Sequence, residues 1–455
     1  MKNSDKVLQK LIRINSKIRH LYNFGDYDKA LAFFLENENK FTNISNGLRK
    51  ETKQIHCDAL SLISIIISYR GDLNQNLEIV KKILKIAEEV NDNYCLSIAM
   101  YGYGRYYWLS GDLTKSLKNF DNAIELINNV VHTDKNAWFL SIIMMAIRVA
   151  IMNGDLEIAR EYYKQVEIKK EDETVNLLQS QHHMRLYDII RALILKSSKR
   201  FRERAIAQEL FKEIFEDKKF LLIYRLLSLV DLCELLLIEL RITNDLTILD
   251  EIKPLIMKLL DFAQLINSIY FFIEAYLLQA KLALINFEFN KARRFLTQGE
   301  RMAERHGYTE LSIEISELHS EMLQQSEAWD NLRKSNAPVS KRMDLAHLNE
   351  NLNEFIRVQM STNAQVYEKK ITVYKERKQC LVCLGEIEGF DNYICPNCDS
   401  IYCKKCAKAL IEIENVCWSC ESPIDKAKPI KPILVEGTEE GEKKAEKNYK
   451  NKKAI

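Results

Sequence analysis

GDYDKALAFF, residues 25–34, is the stretch of sequence that decides the fold of this chain. Its opening triplet, Gly-Asp followed by an aromatic or apolar residue, recurs three more times, at spacings of 46, 40 and 43 residues. Glycine can end a helix because it reaches a positive φ without strain, and aspartate can accept hydrogen bonds from the first amides of the next helix. The triplets therefore predict corners between antiparallel helices, at Gly25-Asp26-Tyr27, Gly71-Asp72-Leu73, Gly111-Asp112-Leu113 and Gly154-Asp155-Leu156.

Two further positions lie at fixed distances after the glycine of each triplet. Five residues after the glycine stands a small or short residue, in turn Ala30, Asn76, Ser116 and Ala159. Nine residues after it stands a bulky one, in turn Phe34, Val80, Phe120 and Tyr163. The small residue lets the two helices of a pair approach, and the bulky one fills the space between pairs. Since one pair cannot bury its apolar face alone, we expect stacked pairs, a mostly α fold with an α-solenoid over residues 1–325.

These motifs resemble the tetratricopeptide repeat family, whose second helix opens with a G-D-Y-x-x-A sequence. The run NFEFNKARRFLTQGERMAERHG, from Asn286, looks like a later copy without the leading glycine. The spacing exceeds the family's usual repeat of about 34 residues, which predicts longer helices or an atypical variant and leaves the repeat number open. Residues 175–285 are helical in pattern but carry no clear triplet. The resemblance implies a concave face that binds a peptide or protein target; the alternative is a structural spacer.

The composition excludes several classes of function. Only 13 glycines and 6 prolines in 455 residues favour helix, and a net charge of +2 argues against nucleic-acid or membrane partners. The N-terminal MKNSDKVLQK lacks the apolar core of a signal peptide or anchor, so we expect a cytoplasmic protein. The apolar run at 220–240, FLLIYRLLSLVDLCELLLIEL, contains four charged residues and predicts a buried core helix rather than a membrane span.

Two segments flank a C-terminal module. Residues 326–378 predict a helical connector, because Leu345, Leu348, Leu352 and Phe355 follow a 3-4-3 spacing. This helix would pack against the last repeat or form a short coiled coil, which leaves the oligomeric state open. Residues 425–455 combine dense mixed charge with prolines and predict a disordered tail.

Eight of the eleven cysteines fall within residues 379–424, as four C-x2-C pairs separated by eleven, four and ten residues. Eight thiolates in four pairs are the ligand count for two tetrahedral zinc ions per chain. If adjacent pairs combined, two nearly independent zinc beads would form. If alternate pairs combine, one zinc is bound by Cys380, Cys383, Cys403 and Cys406, and the other by Cys395, Cys398, Cys417 and Cys420. The alternate arrangement is a cross-brace that replaces a core too small to fold unaided.

The run CLVCLGEIEGFDNYICPNCDSIYCKKCAKALIEIENVCWSC resembles RING-type zinc fingers of the treble-clef kind, with cysteine where most RINGs carry histidine. The related FYVE fingers, which bind phosphoinositides, need basic residues and histidines before the third cysteine, but residues 390–394 read FDNYI. Six acidic residues against three lysines between the first and last ligand also disfavour phosphate ligands. The resemblance therefore points to protein recognition.

In RING-type ubiquitin ligases, a shallow apolar groove binds a ubiquitin-conjugating enzyme. The resemblance places that groove at Val382, Leu384, Leu410 and Ile411, with Trp418 where proline is usual. Glu421 stands where a basic residue usually helps to activate ubiquitin. The alternative is that these apolar side chains only pack over the zinc sites. Closed zinc shells would do no chemistry of their own, so no catalytic residue is predicted.

The sequence thus predicts an adaptor that resembles a ubiquitin ligase, with a target on the repeats and a conjugating enzyme on the finger. The alternative is a non-catalytic scaffold whose finger is a structural protein-binding module. No P-loop, Rossmann, G-x-S-x-G or H-E-x-x-H motif occurs. The remaining cysteines are interpreted as buried thiols and the histidines as core or surface residues, among them Cys57, Cys95, Cys233, His56, His182 and His183.

Overall fold

The computed structural model describes residues 2–42, 49–172, 175–324, 332, 334–335, 342, 380–382, 392–395, 400–413, 415–419 and 422–424. Its contacts divide the chain into two units, residues 1–366 and 367–455. The predicted tail and nearly all of the predicted connector lie outside the described residues.

Sixteen helices make up the described part of the first unit. They are α1 (Lys2–Asn23), α2 (Tyr27–Asn37), α3 (Asn39–Thr42), α4 (Arg49–Tyr69), α5 (Leu73–Val90), α6 (Asn93–Leu109), α7 (Leu113–Asn128), α8 (Lys135–Met152), α9 (Leu156–Glu171), α10 (Gln181–Lys196), α11 (Phe201–Glu216), α12 (Leu222–Thr243), α13 (Thr247–Leu265), α14 (Ile269–Ile285), α15 (Phe289–His306) and α16 (Thr309–Gln324). Consecutive helices pack as pairs, and neighbouring pairs pack on each other. The mostly α fold and its helix-pair repeat are therefore confirmed.

The four Gly-Asp corners adopt the predicted backbone, with every one of these glycines at a φ between 80° and 90°. The role predicted for the aspartates holds at two of the four corners. Asp72 accepts a hydrogen bond from the Gln75 amide at 2.9 Å, and Asp112 one from the Lys115 amide at 3.0 Å. Asp26 and Asp155 make no such cap, and their carboxylates accept hydrogen bonds from side chains instead, those of Lys29 and Asn153.

The small residues after each corner are buried as predicted, and two of them bond across the pair. Asn76 Nδ2 donates to the Ser64 carbonyl at 2.9 Å, and Ser116 Oγ donates to the Gly104 carbonyl at 2.7 Å. The bulky positions are also buried in the first three repeats. In the fourth, Tyr163 is half-buried and packs against the core, while its neighbour Tyr162 is buried within it.

Helix pairs continue through residues 175–285, where the sequence offered no division. The corner between α12 and α13 reads Asn244-Asp245-Leu246, and Asn244 takes the positive φ that glycine takes in earlier repeats. The run from Asn286, which resembles the repeat but lacks its leading glycine, also begins with a corner. There Phe287 has a φ of 60°, and α15 follows it. Asparagine adopts a positive φ more readily than most residues do, so the triplet Asn-Asp-Leu could have predicted the corner between α12 and α13.

Most of the apolar run at 220–240 lies in α12, and fifteen of that helix's residues are buried. The prediction of a core helix is confirmed. Among the described helices, α8 is the one whose length and composition would suit a membrane span. Its span is 61% buried within the protein, as expected of a core helix.

The last helices of this unit contact the corners of the first ones. Ser268 Oγ donates to the Tyr69 carbonyl at 2.9 Å, and the Tyr308 hydroxyl donates to the Ser68 carbonyl at 2.6 Å. His306 Nδ1 lies 3.0 Å from the Gly71 carbonyl. These contacts tie repeats about 200 or more positions apart in sequence, which periodicity alone did not predict.

In the second unit, β1 (Asn392–Ile394) pairs antiparallel with β2 (Ile401–Cys403), and α17 (Lys404–Ile413) follows at once. An isolated bridge joins Val416 to Pro423. A small core forms between these elements. Its buried members are Cys380, Leu381, Cys395, Tyr402, Ala407, Leu410, Cys417 and Ile424.

Candidate functional site

Three of the predicted zinc ligands lie together. The Sγ atoms of Cys380, Cys403 and Cys406 all lie within 4.8 Å of one another. Sulfurs bound to one tetrahedral zinc at about 2.3 Å lie about 3.8 Å apart, so the donor set fits a zinc ion after a small adjustment. Cys380 belongs to the first C-x2-C pair, while Cys403 and Cys406 form the third. Cys383, the fourth member of this predicted set, lies outside the described residues.

Local structure explains why Cys403 and Cys406 converge. Cys403 ends β2, and Cys406 lies in the first turn of α17. The Cys406 amide donates to Cys403 Sγ at 3.5 Å. The strand-to-helix junction therefore brings the two sulfurs of this C-x2-C pair together.

Of the second predicted set, Cys395 and Cys417 are described, whereas Cys398 and Cys420 are not. Both described residues are buried in the same small core. The Cys395 amide donates to the Ser400 carbonyl at 2.8 Å, and the Cys417 amide donates to the Ser422 carbonyl at the same distance. Each bond holds the backbone amide of its cysteine in place. Zinc binding at both sets remains a prediction.

Tyr402 is a residue of this module that sequence reasoning missed. It directly precedes Cys403, is fully buried, and its hydroxyl lies 3.0 Å from Cys417 Sγ. The same hydroxyl accepts the Trp418 amide at 3.0 Å. Tyr402 thus connects the third and fourth cysteine pairs. The alternation of side chains along β2 was the available signal, since it sends Tyr402 and Cys403 to opposite faces.

The residues predicted to form a docking groove differ in exposure. Val382, Ile411 and Trp418 are half-buried and pack against the small core. Leu410 is a member of that core and only 4% exposed, which agrees with the alternative that it packs inside the module. Leu384 and Glu421 lie outside the described residues.

The helical body contains a cavity of about 240 Å³. Every lining residue lies on the first helix of a pair or directly before it, in α1, α4, α6, α8, α10 and α12. In stacked helix pairs the first helices share one face, so this cavity lies on the face that the first helices form. The lining residues are Arg19, Tyr22, Asn23, Asp58, Ser61, Leu62, Ile65, Tyr101, Asp134, Ala137, Trp138, Ser141, His182, Leu221 and Tyr224.

One arginine faces two carboxylates in this cavity. Arg19 Nη2 lies 3.2 Å from Asp134 Oδ2 and 3.7 Å from Asp58 Oδ2. The Tyr94 hydroxyl donates to Asp58 Oδ1 at 2.8 Å. Burial raises the pKa of Asp58 to about 6, although Arg19 and Tyr94 oppose the rise. Burial also lowers the pKa of His182 to about 4, so this imidazole is neutral at pH 7.

The sequence did not point to this cavity. Its polar residues come from six helices, and no local spacing relates them. His182 was interpreted as a core or surface residue, and it lies at the cavity wall. The other predictions for isolated residues hold: His56 and His183 are buried, as are Cys57, Cys95 and Cys233.

No protein-family model matches this sequence, and no curated protein matches it. The chain is similar to the crystal structure of NprR in complex with its cognate peptide NprX, at a TM-score of 0.37 and 15% identity. The match covers 77% of this chain and 97% of that chain. At this level of similarity, the helix-pair fold rests on the contacts within the chain itself.

Proposed function

We propose that this chain is a zinc-binding adaptor between proteins, whose helical body recruits a target and whose cysteine module docks a second protein. The observation that carries the proposal is the convergence of the Cys380, Cys403 and Cys406 sulfurs within 4.8 Å. Two structural zincs would hold the module, and neither would activate water, because each would be closed by four thiolates. The adaptor would act by bringing two proteins together.

The cavity of the body supports the target-binding role. It combines aromatic walls with a few charged groups, which is the usual make-up of a recognition site. Arg19 and Asp134 have side chains that are 41% and 37% exposed, so they lie at its rim. Tyr101 and Tyr224 are buried and form part of its floor. An incoming segment would meet charge first and aromatic surface beneath it.

The finer form of the proposal is that the second protein is a ubiquitin-conjugating enzyme. It rests on the RING order of the cysteines and on the apolar surface that Val382, Ile411 and Trp418 partly expose. All three pack against the small core that contains Cys380 and Tyr402. A conjugating enzyme docked there would be carried by the same chain as a target bound to the body.

The burial of Leu410 favours a second candidate, a scaffold whose module binds protein without promoting ubiquitin transfer. A side chain that is only 4% exposed contributes little contact area to a partner. Trp418 in place of the usual proline points in the same direction. In this candidate the zincs hold the module together, and Val382, Ile411 and Trp418 form an ordinary protein contact.

One experiment separates the two candidates. Purified full-length chain is mixed with ubiquitin-loaded conjugating enzymes, and the loss of the thioester is followed with time. The ligase form predicts faster discharge, abolished by Val382→Arg and retained by Glu412→Arg, which places the same charge at an exposed position of α17. If no conjugating enzyme responds, or Val382→Arg discharges as the native chain does, the ligase form is excluded and the scaffold remains.

Metal analysis tests the part common to both candidates. The proposal predicts two zinc ions per chain after gel filtration. A chelator should remove them and unfold the cysteine module while leaving the helical body folded, because each unit has its own core. One zinc or none per chain contradicts the proposal.

A further inference from the structure

The chemistry of the body cavity allows the ligand to be specified further. Its volume of about 240 Å³ is below the usual size of a site for a whole drug-sized molecule. It suits one long side chain of a larger ligand. With Arg19, Asp58 and Asp134 ionised and His182 neutral, the charged lining residues sum to −1.

Two kinds of group inside the cavity favour a positive ligand. Aromatic rings line it, and the faces of such rings attract cations. Tyr101 is 2% exposed, and its buried hydroxyl has no hydrogen-bond partner among the residues that the structure describes. A buried hydroxyl without a partner is costly, and its oxygen can accept a hydrogen bond from an N–H group.

We propose that this cavity binds an ammonium or guanidinium side chain, that of a lysine or arginine in a peptide segment of the target. Asp134 at the rim and Asp58 at the floor supply the charge, while Trp138 and the tyrosines contact the aliphatic stem. The inference deepens the proposed target-binding role of the body and rests on it. It does not depend on the cysteine module.

An anionic ligand fits the same cavity poorly. Arg19 is the cation that lines it, and it already lies within 4 Å of both carboxylates. An incoming carboxylate or phosphate would have to displace one of those contacts and would face a net negative lining. A cation instead restores neutrality, since two carboxylates would then face two positive groups.

The test titrates full-length chain labelled with ¹⁵N at its tryptophan indoles. The probes are Nα-acetyl-arginine amide, Nα-acetyl-lysine amide, the neutral Nα-acetyl-citrulline amide and the acidic Nα-acetyl-glutamate amide. The arginine or lysine probe should shift the Trp138 indole signal and bind roughly tenfold or more tightly than citrulline, because a bond to a charged partner is worth more than a neutral one.

Asp134→Asn should weaken that binding roughly tenfold. The matched control Asp250→Asn changes an exposed aspartate of α13 and should leave the affinity unchanged. Trp138→Ala provides a second variant if Asp134→Asn unfolds. Because it lacks the reporting indole, its affinity is measured by isothermal titration calorimetry, and it should bind every cationic probe more weakly. Thermal melting verifies that each variant is folded.

Four outcomes would overturn the inference. They are no binding of either cationic probe at millimolar concentration, equal affinity for citrulline, tighter binding of the glutamate probe, or an unaffected Asp134→Asn. Agmatine, a free guanidinium amine without a peptide backbone, tests the source of the cation, and tighter binding of agmatine than of the arginine amide would overturn the peptide assignment. A negative result here leaves zinc content and ubiquitin discharge untouched, so the two proposals fail separately.

Discussion

Arg148 and Asp231 form a two-pronged ion pair between α8 and α12, with Nη2 2.5 Å from Oδ2 and Nη1 3.3 Å from Oδ1. Asp231 is 1% exposed and also receives Lys196 Nζ at 2.5 Å. Burial opposes the ionisation of Asp231, but the two cations hold its pKa below the usual value. The charge that argued against a membrane span thus lies inside the core and joins three helices.

Removing one partner of the Arg148–Asp231 ion pair should destabilise the helical body. Arg148→Met removes one cation and leaves Asp231 buried with Lys196 alone, so we expect the free energy of unfolding to fall by about 3–5 kcal/mol. Urea unfolding followed by circular dichroism measures the change. The double variant Arg148→Met, Asp231→Asn removes both charges and should recover a large part of the loss. A single variant as stable as the native chain would contradict this account.

Two corner glycines provide a matched test of the contacts between the early and late repeats. Gly71 and Gly154 have similar φ values, 90° and 83°, so alanine should strain both backbones by about 1–2 kcal/mol. At Gly154 the new Cβ meets nothing within 4 Å, whereas at Gly71 it would lie 2.5 Å from His306 Nδ1. We therefore expect Gly71→Ala to destabilise the body more than Gly154→Ala does.

The difference between the two glycine variants should be about 1–3 kcal/mol, the usual cost of overpacking. Thermal or urea unfolding measures it. His306→Ala in the Gly71→Ala background removes the obstructing ring. It should reduce the difference in unfolding free energy between the Gly71 and Gly154 variants. Equal effects at Gly71 and Gly154 would mean that α15 does not contact the early corner in solution.

The stability of the body should depend on pH through Asp58. Its pKa is raised from 3.8 to about 6, so the folded state holds a proton between these values that the unfolded state releases. Stability therefore falls as the pH rises through this window, and above pH 6 the buried charge costs on the order of 3 kcal/mol. The charged or titratable groups that act on Asp58 include Arg19, Tyr94 and Asp134.

Asp58→Asn removes this charge and keeps an oxygen that can accept the Tyr94 hydroxyl. We expect the variant to be more stable than the native chain by about 1–3 kcal/mol at pH 8 and equally stable near pH 4. Urea unfolding at the two pH values measures the difference. Asp250→Asn, an exposed change, should alter stability little at either pH. A gain that is the same at both pH values would exclude titration of Asp58 as the cause.

The repeat was predictable where its corners used glycine and less so elsewhere. Gly25 and Gly111 indicate a positive φ, because other residues rarely adopt such a backbone conformation. Asn244 and Phe287 adopt the same backbone without that signal, so sequence analysis divided the later repeats poorly. The contact between His306 and Gly71 joins residues 235 positions apart, and no local pattern encodes such a distance.

The two candidate sites also differ in how far the sequence could predict them. The cysteines were singled out by their spacing, because C-x2-C pairs are typical of structural zinc sites. The body cavity was missed, because Arg19, Asp58 and Asp134 lie on separate helices and each resembles an ordinary surface charge in sequence. For Leu410 the sequence suggested a role that its burial does not favour. Its position in the motif suggested docking, but whether it faces a partner or the core depends on how α17 packs.

The pairing of the cysteines can be decided by counting zinc in two double variants. If alternate pairs combine, as the proximity of the Cys380 and Cys403 sulfurs supports, Cys380→Ser with Cys403→Ser damages one site and leaves one zinc per chain. Cys380→Ser with Cys395→Ser then damages both sites and leaves none. Adjacent pairing predicts the reverse for both variants. Mass spectrometry of metal content measures the outcome, and Cys233→Ala, a buried thiol of the helical body, should retain two zincs.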